Sequence, residues 1–167
     1  ISFMARTQKN KERLFFAGGG FGSFFFGMGV VKYFKEIGYL PKDIYAESAG
    51  CGVAVYLLNP DTDINEHYLY WCETSAKVSR RALFSDWNKL VGANFNKRVI
   101  QGERLFEIAN EQLSVSITQN FRHNWQSTFK SNEDVYDAVR ASSHVPFYNY
   151  ISDFGFQKID GFFSSYM

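Results

Sequence analysis

A serine set between small residues is the first feature of the sequence that could do chemistry. It lies in the segment Ala46-Glu47-Ser48-Ala49-Gly50, between a predicted strand and a predicted helix. Such a strand-turn-helix is the setting of a nucleophile elbow, in which small neighbours permit a tight turn and the hydroxyl projects outward. The amides of the following helix favour developing negative charge. The segment therefore predicts a serine nucleophile for acyl transfer, with an ordinary helix N-cap as the alternative.

Three consecutive glycines form the second feature. Gly18, Gly19 and Gly20 follow a predicted strand and continue into Phe21-Gly22-Ser23. Glycine leaves the backbone N–H groups bare, so they can face a small anion. In an ester hydrolase the amides of Gly18 to Phe21 would form an oxyanion hole, worth roughly 3–4 kcal/mol per donor. A plain turn is one alternative; a nucleotide-binding loop is another, but its glycine spacing fails at Ser23 and no Gly-Lys-Ser/Thr follows.

A late aspartate is the third feature. Asp160-Gly161 stands at the predicted end of a strand, where this dipeptide is usually only a turn. Its interest comes from the order along the chain: glycine loop, serine elbow, then a carboxylate that could act as a base. A His-containing triad is the enzymatic alternative, and only His144 lies in a motif-like segment. We expect His67 on the surface of a helix and His123 exposed.

The surrounding pattern alternates strands with helices. Strands are predicted at 13–17, 43–47, 113–118 and 156–160, and helices around 30–38, 49–58, 64–72 and 105–109 and after a capping box at Ser131 and Asp134. Asp61 or Thr62 is the expected cap of the 64–72 helix. This alternation favours an α/β fold with a largely parallel sheet, whose sites gather at the carboxyl ends of the strands.

Composition bounds the function further. The 167 residues suffice for one domain, and a net charge of +1 argues against bulk nucleic-acid binding. Aromatic residues make up 19% of the chain and suit surfaces that meet lipid. No apolar run is long enough to span a bilayer, and no secretory signal is evident. Cys51 and Cys72 form no disulfide framework or zinc spacing, and Cys51 is expected to be packed. A cytoplasmic location with some membrane association is the expectation.

Taken together, these segments resemble the patatin-like phospholipases. That family is marked by a Gly-Gly-Gly-x-Arg/Lys-Gly loop, a Gly-x-Ser-x-Gly elbow about 30 residues later, and a late Asp-Gly-Gly/Ala. The matching residues here are Gly18 to Gly20, Ser48 within 46–50, and Asp160-Gly161. The segment 140–147, Arg-Ala-Ser-Ser-His-Val-Pro-Phe, is similar to the family's Ala-Ser-x-x-x-Pro stretch. The likeness spans residues 15–161.

The resemblance implies a three-layer α/β/α sandwich with a mostly parallel central sheet. It also implies a cofactor-free and metal-free Ser48–Asp160 dyad that hydrolyses lipid acyl esters, in the manner of a phospholipase A or lysophospholipase. Asp160 would accept the Ser48 proton and later activate water. A partly desolvated Asp160 with a raised pKa would serve this role best. We expect one catalytic domain over residues 1–167, a fragment ending soon after the aspartate.

Departures from the family pattern support a second hypothesis. Ala46 replaces the first glycine of the elbow, Gly22 and Ser23 stand in the Arg/Lys-Gly positions, and Phe162 replaces a small residue. These changes favour a patatin-fold module that binds lipid or a partner without turnover. A nucleotide-binding domain is the third hypothesis.

Basic and aromatic residues are interleaved between positions 77 and 98. The basic members are Lys77, Arg80, Arg81, Lys89, Lys97 and Arg98, and a second basic stretch runs from Arg6 to Arg13. This composition suits transient contact with an anionic membrane. We expect the 77–98 segment to form a cap beside the acyl pocket, with a solvated face over a local core as the alternative.

Overall fold

The computed structural model describes residues 12–77, 104–143 and 158–161. The strands are β1 (Arg13–Phe16), β2 (Asp43–Ala46), β3 (Leu113–Gln119), β4 (Arg122–Gln126) and β5 (Lys158–Asp160). The helices are α1 (Gly20–Glu36), α2 (Ala49–Leu58), α3 (Ile64–Lys77), α4 (Leu105–Gln112) and α5 (Asn132–Ser142).

The strands form one mixed sheet in the order β1-β2-β3-β4. β1 pairs with β2 and β2 with β3 in parallel, whereas β4 and β5 both pair with β3 in the antiparallel direction. The predicted α/β class with a parallel sheet centre is confirmed. β4 was not predicted from the sequence; it forms a hairpin with β3 through Asn120 and Phe121, which both have positive φ. Two such residues make a type I′ turn, which usually contains glycine.

The position of β5 follows from its register. Ile117, Thr118 and Gln119 each pair with a β4 residue and also with a β5 residue. A strand has two edges, so β5 must occupy the edge of β3 opposite β4. That is the edge that β2 takes lower down, at Leu113 to Val115. β5 therefore continues this edge just past the carboxyl end of β2.

The described helices gather on one face of the sheet. In the parallel part of the sheet, successive strands are added in one direction, from β1 to β2 to β3. Right-handed connections between such strands place their helices on the same side of the sheet. Accordingly α1, α4 and α5 all contact α2, and α3 contacts α1. α2 is buried over nearly its whole length, and Gly27 of α1 lies so close to Val53 of α2 that an added Cβ would meet it at 2.7 Å.

The opposite face of the sheet carries an aromatic group. Trp125 of β4 contacts both Phe15 of β1 and Tyr45 of β2 edge to face. Phe15 is 52% exposed and Trp125 38% exposed. Within the described residues, one helical layer of the expected sandwich is present, and the layer that would cover this aromatic face is not among them.

Several sequence expectations are corrected. α1 begins at Gly20, about ten residues before the predicted helix. The cap of α3 is Asp63, whose Oδ1 accepts from the amides of Asn65 and Glu66, and not Asp61 or Thr62. His67 is not on the surface; it is buried, and its Nδ1 lies 3.2 Å from the Tyr56 hydroxyl. His123 is exposed, as expected, and Ser131 caps α5 as predicted.

None of the helices in the described segments combines enough length with enough apolar character to cross a membrane.

Candidate active site

Ser48 occupies a strained turn between β2 and α2. Its φ of 51° and ψ of −128° are unusual for a residue other than glycine, and such conformations cost about 1–3 kcal/mol. Its side chain makes no capping hydrogen bond to α2, although the residue stands at the N-cap position. The alternative of an ordinary capping serine is therefore wrong. The geometry is that of a nucleophile elbow.

Close packing against β1 explains the small residues of the elbow. The Glu47 amide donates to the Phe16 carbonyl at 3.1 Å. A Cβ added to Gly50 would lie 2.2 Å from the same carbonyl oxygen, and Ala46 is fully buried. The elbow therefore requires glycine at position 50, because any side chain there would collide with the main chain of β1.

The glycine loop lies directly against the serine. A Cβ added to Gly18 would lie 3.0 Å from the Ser48 Cβ. Gly19 and Gly20 have φ values of 141° and 63°, which glycine adopts readily. The Ser23 hydroxyl donates to the Gly18 carbonyl at 3.0 Å and so holds the loop.

Two helix amino termini thus meet at the serine. The first amides of an α-helix have no partner inside that helix, and they carry a partial positive charge. α1 starts at Gly20 and includes Phe21 in its first turn, while α2 starts at Ala49. The site accordingly has backbone groups suited to an anion. The Phe21 side chain lies outside what the structure describes.

Asp160 is buried at the end of β5, with 3% of its surface exposed. Its carbonyl accepts the Thr118 hydroxyl at 3.0 Å, which fastens β5 to β3. Gly161 follows against Ser116, where an added Cβ would lie 2.1 Å from the serine Oγ. A side chain at position 161 would therefore push the chain away from β3.

The sheet register brings Asp160 toward Ser48. Asp160 pairs with Ile117 and Ala46 pairs with Val115, so the two lie only two β3 residues apart, about 7 Å along the strand. Cross-strand partners share a face of the sheet, and Ile117 is buried on the face that α2 covers. The Asp160 side chain is therefore on the side of the sheet where α2 begins, two residues after Ala46.

The environment of Cys51 agrees with this proximity. Burial raises the pKa of the Cys51 thiol far above its usual value, and the hydrogen bond with Ser142 lowers it by a smaller amount. The carboxylates of Asp160 and Glu47 raise it further, each by less than the Ser142 bond lowers it. Cys51 lies in the first turn of α2. Both carboxylates therefore act on the same turn that follows Ser48.

Glu47 places a buried carboxyl group beside the glycine loop, which its position in the sequence did not reveal. Its side chain is only 3% exposed, and Oε1 lies 3.5 Å from the Gly18 amide nitrogen. A buried carboxylate beside the glycine loop competes with any oxyanion that the loop would hold.

Other features of the described residues lie away from the elbow. Among the described residues, no group of three or more His, Cys, Asp and Glu side chains could hold a metal ion. A shallow cleft lined by Asp43, Leu113 and their neighbours lies at the amino ends of β2 and β3, opposite the elbow. His144, Phe162 and the 78–98 part of the basic and aromatic segment lie outside the described residues.

The fold and the elbow define an α/β protein with a serine at a strand-to-helix turn and a glycine loop beside it. Comparison with known families makes this specific, because the family model for patatin-like phospholipase matches residues 14–161, nearly the whole chain. The protein belongs to the patatin-like phospholipase family, a family of lipid acyl hydrolases. No curated protein and no solved structure gave a significant match.

Two residues in contact with the site had no role in the sequence analysis. Ser23 holds the glycine loop, and Ser142 accepts the Ser48 amide at 2.9 Å. The only signal for Ser142 was its place in the family-like segment 140–147. Nothing in the sequence pointed to Ser23 except its departure from the family's glycine.

Proposed function

We propose that the protein hydrolyses carboxylic esters of lipids, with Ser48 as the nucleophile and Asp160 as its base. The observation that supports this most is the pairing of β5 with β3, which puts a buried carboxylate on the α2 side of the sheet, next to the serine elbow. The family supports lipid substrates as a class. Transient contact with a lipid surface follows from that substrate class.

The reaction would proceed in two halves. The Ser48 oxygen attacks the ester carbonyl while Asp160 takes the hydroxyl proton, and the tetrahedral oxyanion forms beside the amides of the glycine loop and of Ala49. Collapse of this intermediate expels the alcohol, which recovers the proton from Asp160 and leaves an acyl-serine. Water then attacks with Asp160 as base, which releases the fatty acid and restores the serine.

Asp160 is only 3% exposed, so its carboxyl group lies away from bulk solvent. The same surroundings exclude bulk water from the proton transfer. Two helix amino termini offset the charge that develops on the ester oxygen.

A second candidate function is a patatin-fold module that binds lipid without turnover. One observation favours it: the Glu47 carboxylate faces the Gly18 amide, one of the proposed oxyanion donors. A negative charge at that position opposes a tetrahedral oxyanion. The two candidates differ in whether Ser48 reacts.

A fluorophosphonate probe distinguishes them, because it forms a covalent bond only with an activated serine. We expect labelling of the wild-type protein that disappears in Ser48→Ala. In Asp160→Asn the labelling rate should fall by a factor on the order of a thousand, because removing one member of a catalytic set has an effect of about this size. Release of fatty acid from phospholipid vesicles should fall in parallel.

The control is Ser75→Ala, a partly buried serine on α3 away from the elbow, which should label like the wild type. Absence of labelling in a folded wild-type protein would refute the hydrolase proposal and leave the binding module. Unchanged labelling in Asp160→Asn would remove the aspartate from the mechanism.

A further inference from the structure

Ser142 joins the elbow to a distant part of the chain. It is the last residue of α5 and is completely buried. Its Oγ accepts the Ser48 amide at 2.9 Å and lies 3.2 Å from the Cys51 sulfur, which is also fully buried. The hydroxyl therefore contacts both the nucleophile residue and the first turn of the helix behind it.

The conformation of Ser48 makes this contact consequential. A residue held at positive φ relaxes unless its surroundings keep it there. The Ser48 amide precedes the helix, so it cannot bond within α2. The Ser48 amide is partly buried, and losing its acceptor carries a penalty up to the size of the strain of the turn. Removing the Ser142 hydroxyl would thus weaken the force that keeps Ser48 in its strained form.

The same helix also contacts the strand of the proposed base. α5 packs against both β3 and β5, and β5 ends at Asp160. Ser142 therefore links the turn that carries the hydroxyl to the helix that supports the carboxylate. Displacements of about 1 Å in such a pair can reduce a rate about a hundredfold.

We propose that Ser142 is a positioning residue of this site: its hydroxyl accepts the Ser48 amide and sets the direction of the serine oxygen relative to Asp160. This role rests on the proposed hydrolase function, because it concerns the same pair of groups. Ser142 itself touches neither substrate nor the reacting proton.

The test compares Ser142→Ala, which removes the acceptor, with Ser142→Thr, which keeps it. With a fluorophosphonate probe and p-nitrophenyl butyrate, we expect Ser142→Ala to lower the maximal labelling rate and kcat by about ten- to a hundredfold while KM stays within about twofold. Ser142→Thr should recover most of the rate. Val139→Ala, a buried truncation on the same helix, is the control for lost packing and should keep kcat near the wild-type value.

Amide hydrogen exchange, measured by NMR, tests the hydrogen bond between the Ser48 amide and Ser142 and does not require enzymatic activity. In Ser142→Ala the Ser48 amide should exchange at least about tenfold faster, whereas the Cys51 amide, which donates to the Ser48 carbonyl, should change little. This measurement decides the structural role if Ser142→Thr does not fold.

Two results would overturn the proposal. One is an equal loss of kcat in Val139→Ala, which would show a general effect of α5 packing. The other is unchanged labelling and unchanged Ser48 exchange in Ser142→Ala. If the wild type does not label at all, the hydrolase function fails, and faster Ser48 exchange in Ser142→Ala would still show that the hydroxyl holds the turn.

Discussion

Gly50 shows at the scale of one residue how little space the elbow leaves. An added Cβ would lie 2.2 Å from the Phe16 carbonyl oxygen, a contact that main-chain atoms cannot relieve without moving β1. We expect Gly50→Ala to lower the free energy of unfolding by at least about 3 kcal/mol, the range of severe overpacking. Urea denaturation followed by circular dichroism measures this.

Gly29→Ala is the matched control for that substitution. Gly29 lies inside α1, is exposed, and has nothing within 4 Å of an added Cβ. Alanine should therefore raise stability by up to about 1 kcal/mol through its better helix propensity. Equal effects of the two substitutions, in sign and size, would contradict the packing of the elbow described above.

Glu47 tests the electrostatics of the site. If its carboxylate opposes the oxyanion, Glu47→Gln keeps the shape and the acceptor but removes the charge. We expect fluorophosphonate labelling to speed up by roughly three- to tenfold, a modest gain at the effective dielectric of a partly buried site. Glu73→Gln, at an exposed glutamate on α3, should leave the rate unchanged. Slower labelling in Glu47→Gln would mean that the charge assists the reaction.

Local sequence predicted some residues of the site and missed others for a physical reason. Ser48 and Gly50 were predictable because a strand-to-helix turn demands small residues in a short window. The burial of Glu47 and His67 was not, because it depends on which distant segments cover them. Ser142 lies 94 residues from the amide it accepts, a relation that no local pattern contains.

At the scale of elements, helix prediction succeeded where polar and turn residues mark both ends of the helix. α2 matches its predicted range because Ser48 precedes it and Asn59-Pro60 ends it. α1 was predicted too short because its first ten residues contain glycines that usually break helices. One of these glycines has a packing role, since Gly27 lets α1 approach Val53 of α2. β4 was missed because Phe121 occupies a turn position that normally takes glycine.

A buried polar group between α2 and α3 gives a prediction at this scale. The Tyr56 hydroxyl accepts the Trp71 indole N–H at 2.8 Å and contacts the His67 ring. Tyr56→Phe leaves a buried donor without its acceptor, so we expect a loss of about 1–3 kcal/mol in stability by urea denaturation.

Tyr33→Phe serves as the control, because Tyr33 is exposed on α1 and should change stability by no more than about 0.5 kcal/mol. A wild-type-like Tyr56→Phe variant would show that the hydroxyl contributes little to joining the two helices.

At the scale of the whole molecule, the stability of the folded state should decrease as the pH rises into the alkaline range. Burial raises the pKa of Cys51 in the folded state and outweighs the lowering by the Ser142 hydrogen bond, while the carboxylates of Asp160 and Glu47 raise it further. Above the ordinary thiol pKa the unfolded chain loses this proton while the folded chain keeps it, so stability falls as pH rises. The slope approaches about 1.4 kcal/mol per pH unit for one group.

Urea denaturation between pH 8 and 10.5 measures this slope, and Cys51→Ala should flatten it. The raised pKa of Tyr136 acts in the same direction and leaves a residual slope. In the native protein, iodoacetamide should modify Cys72 faster than Cys51. A steeper alkaline loss in Cys51→Ala would contradict the assignment.

The overall arrangement was only partly predictable. The α/β class follows from the alternation of strands and helices, and the family resemblance follows from the order of the motifs. The placement of β5 does not, because a three-residue strand carries no signal for its partner or register. That placement is what brings Asp160 beside the elbow.

The shared edge of β3 has a consequence for synthesis. The strand that completes the site is made more than a hundred residues after the glycine loop and the serine. A nascent chain therefore carries a nucleophile turn with no base next to it. Hydrolysis by the proposed dyad cannot begin until translation has passed residue 160.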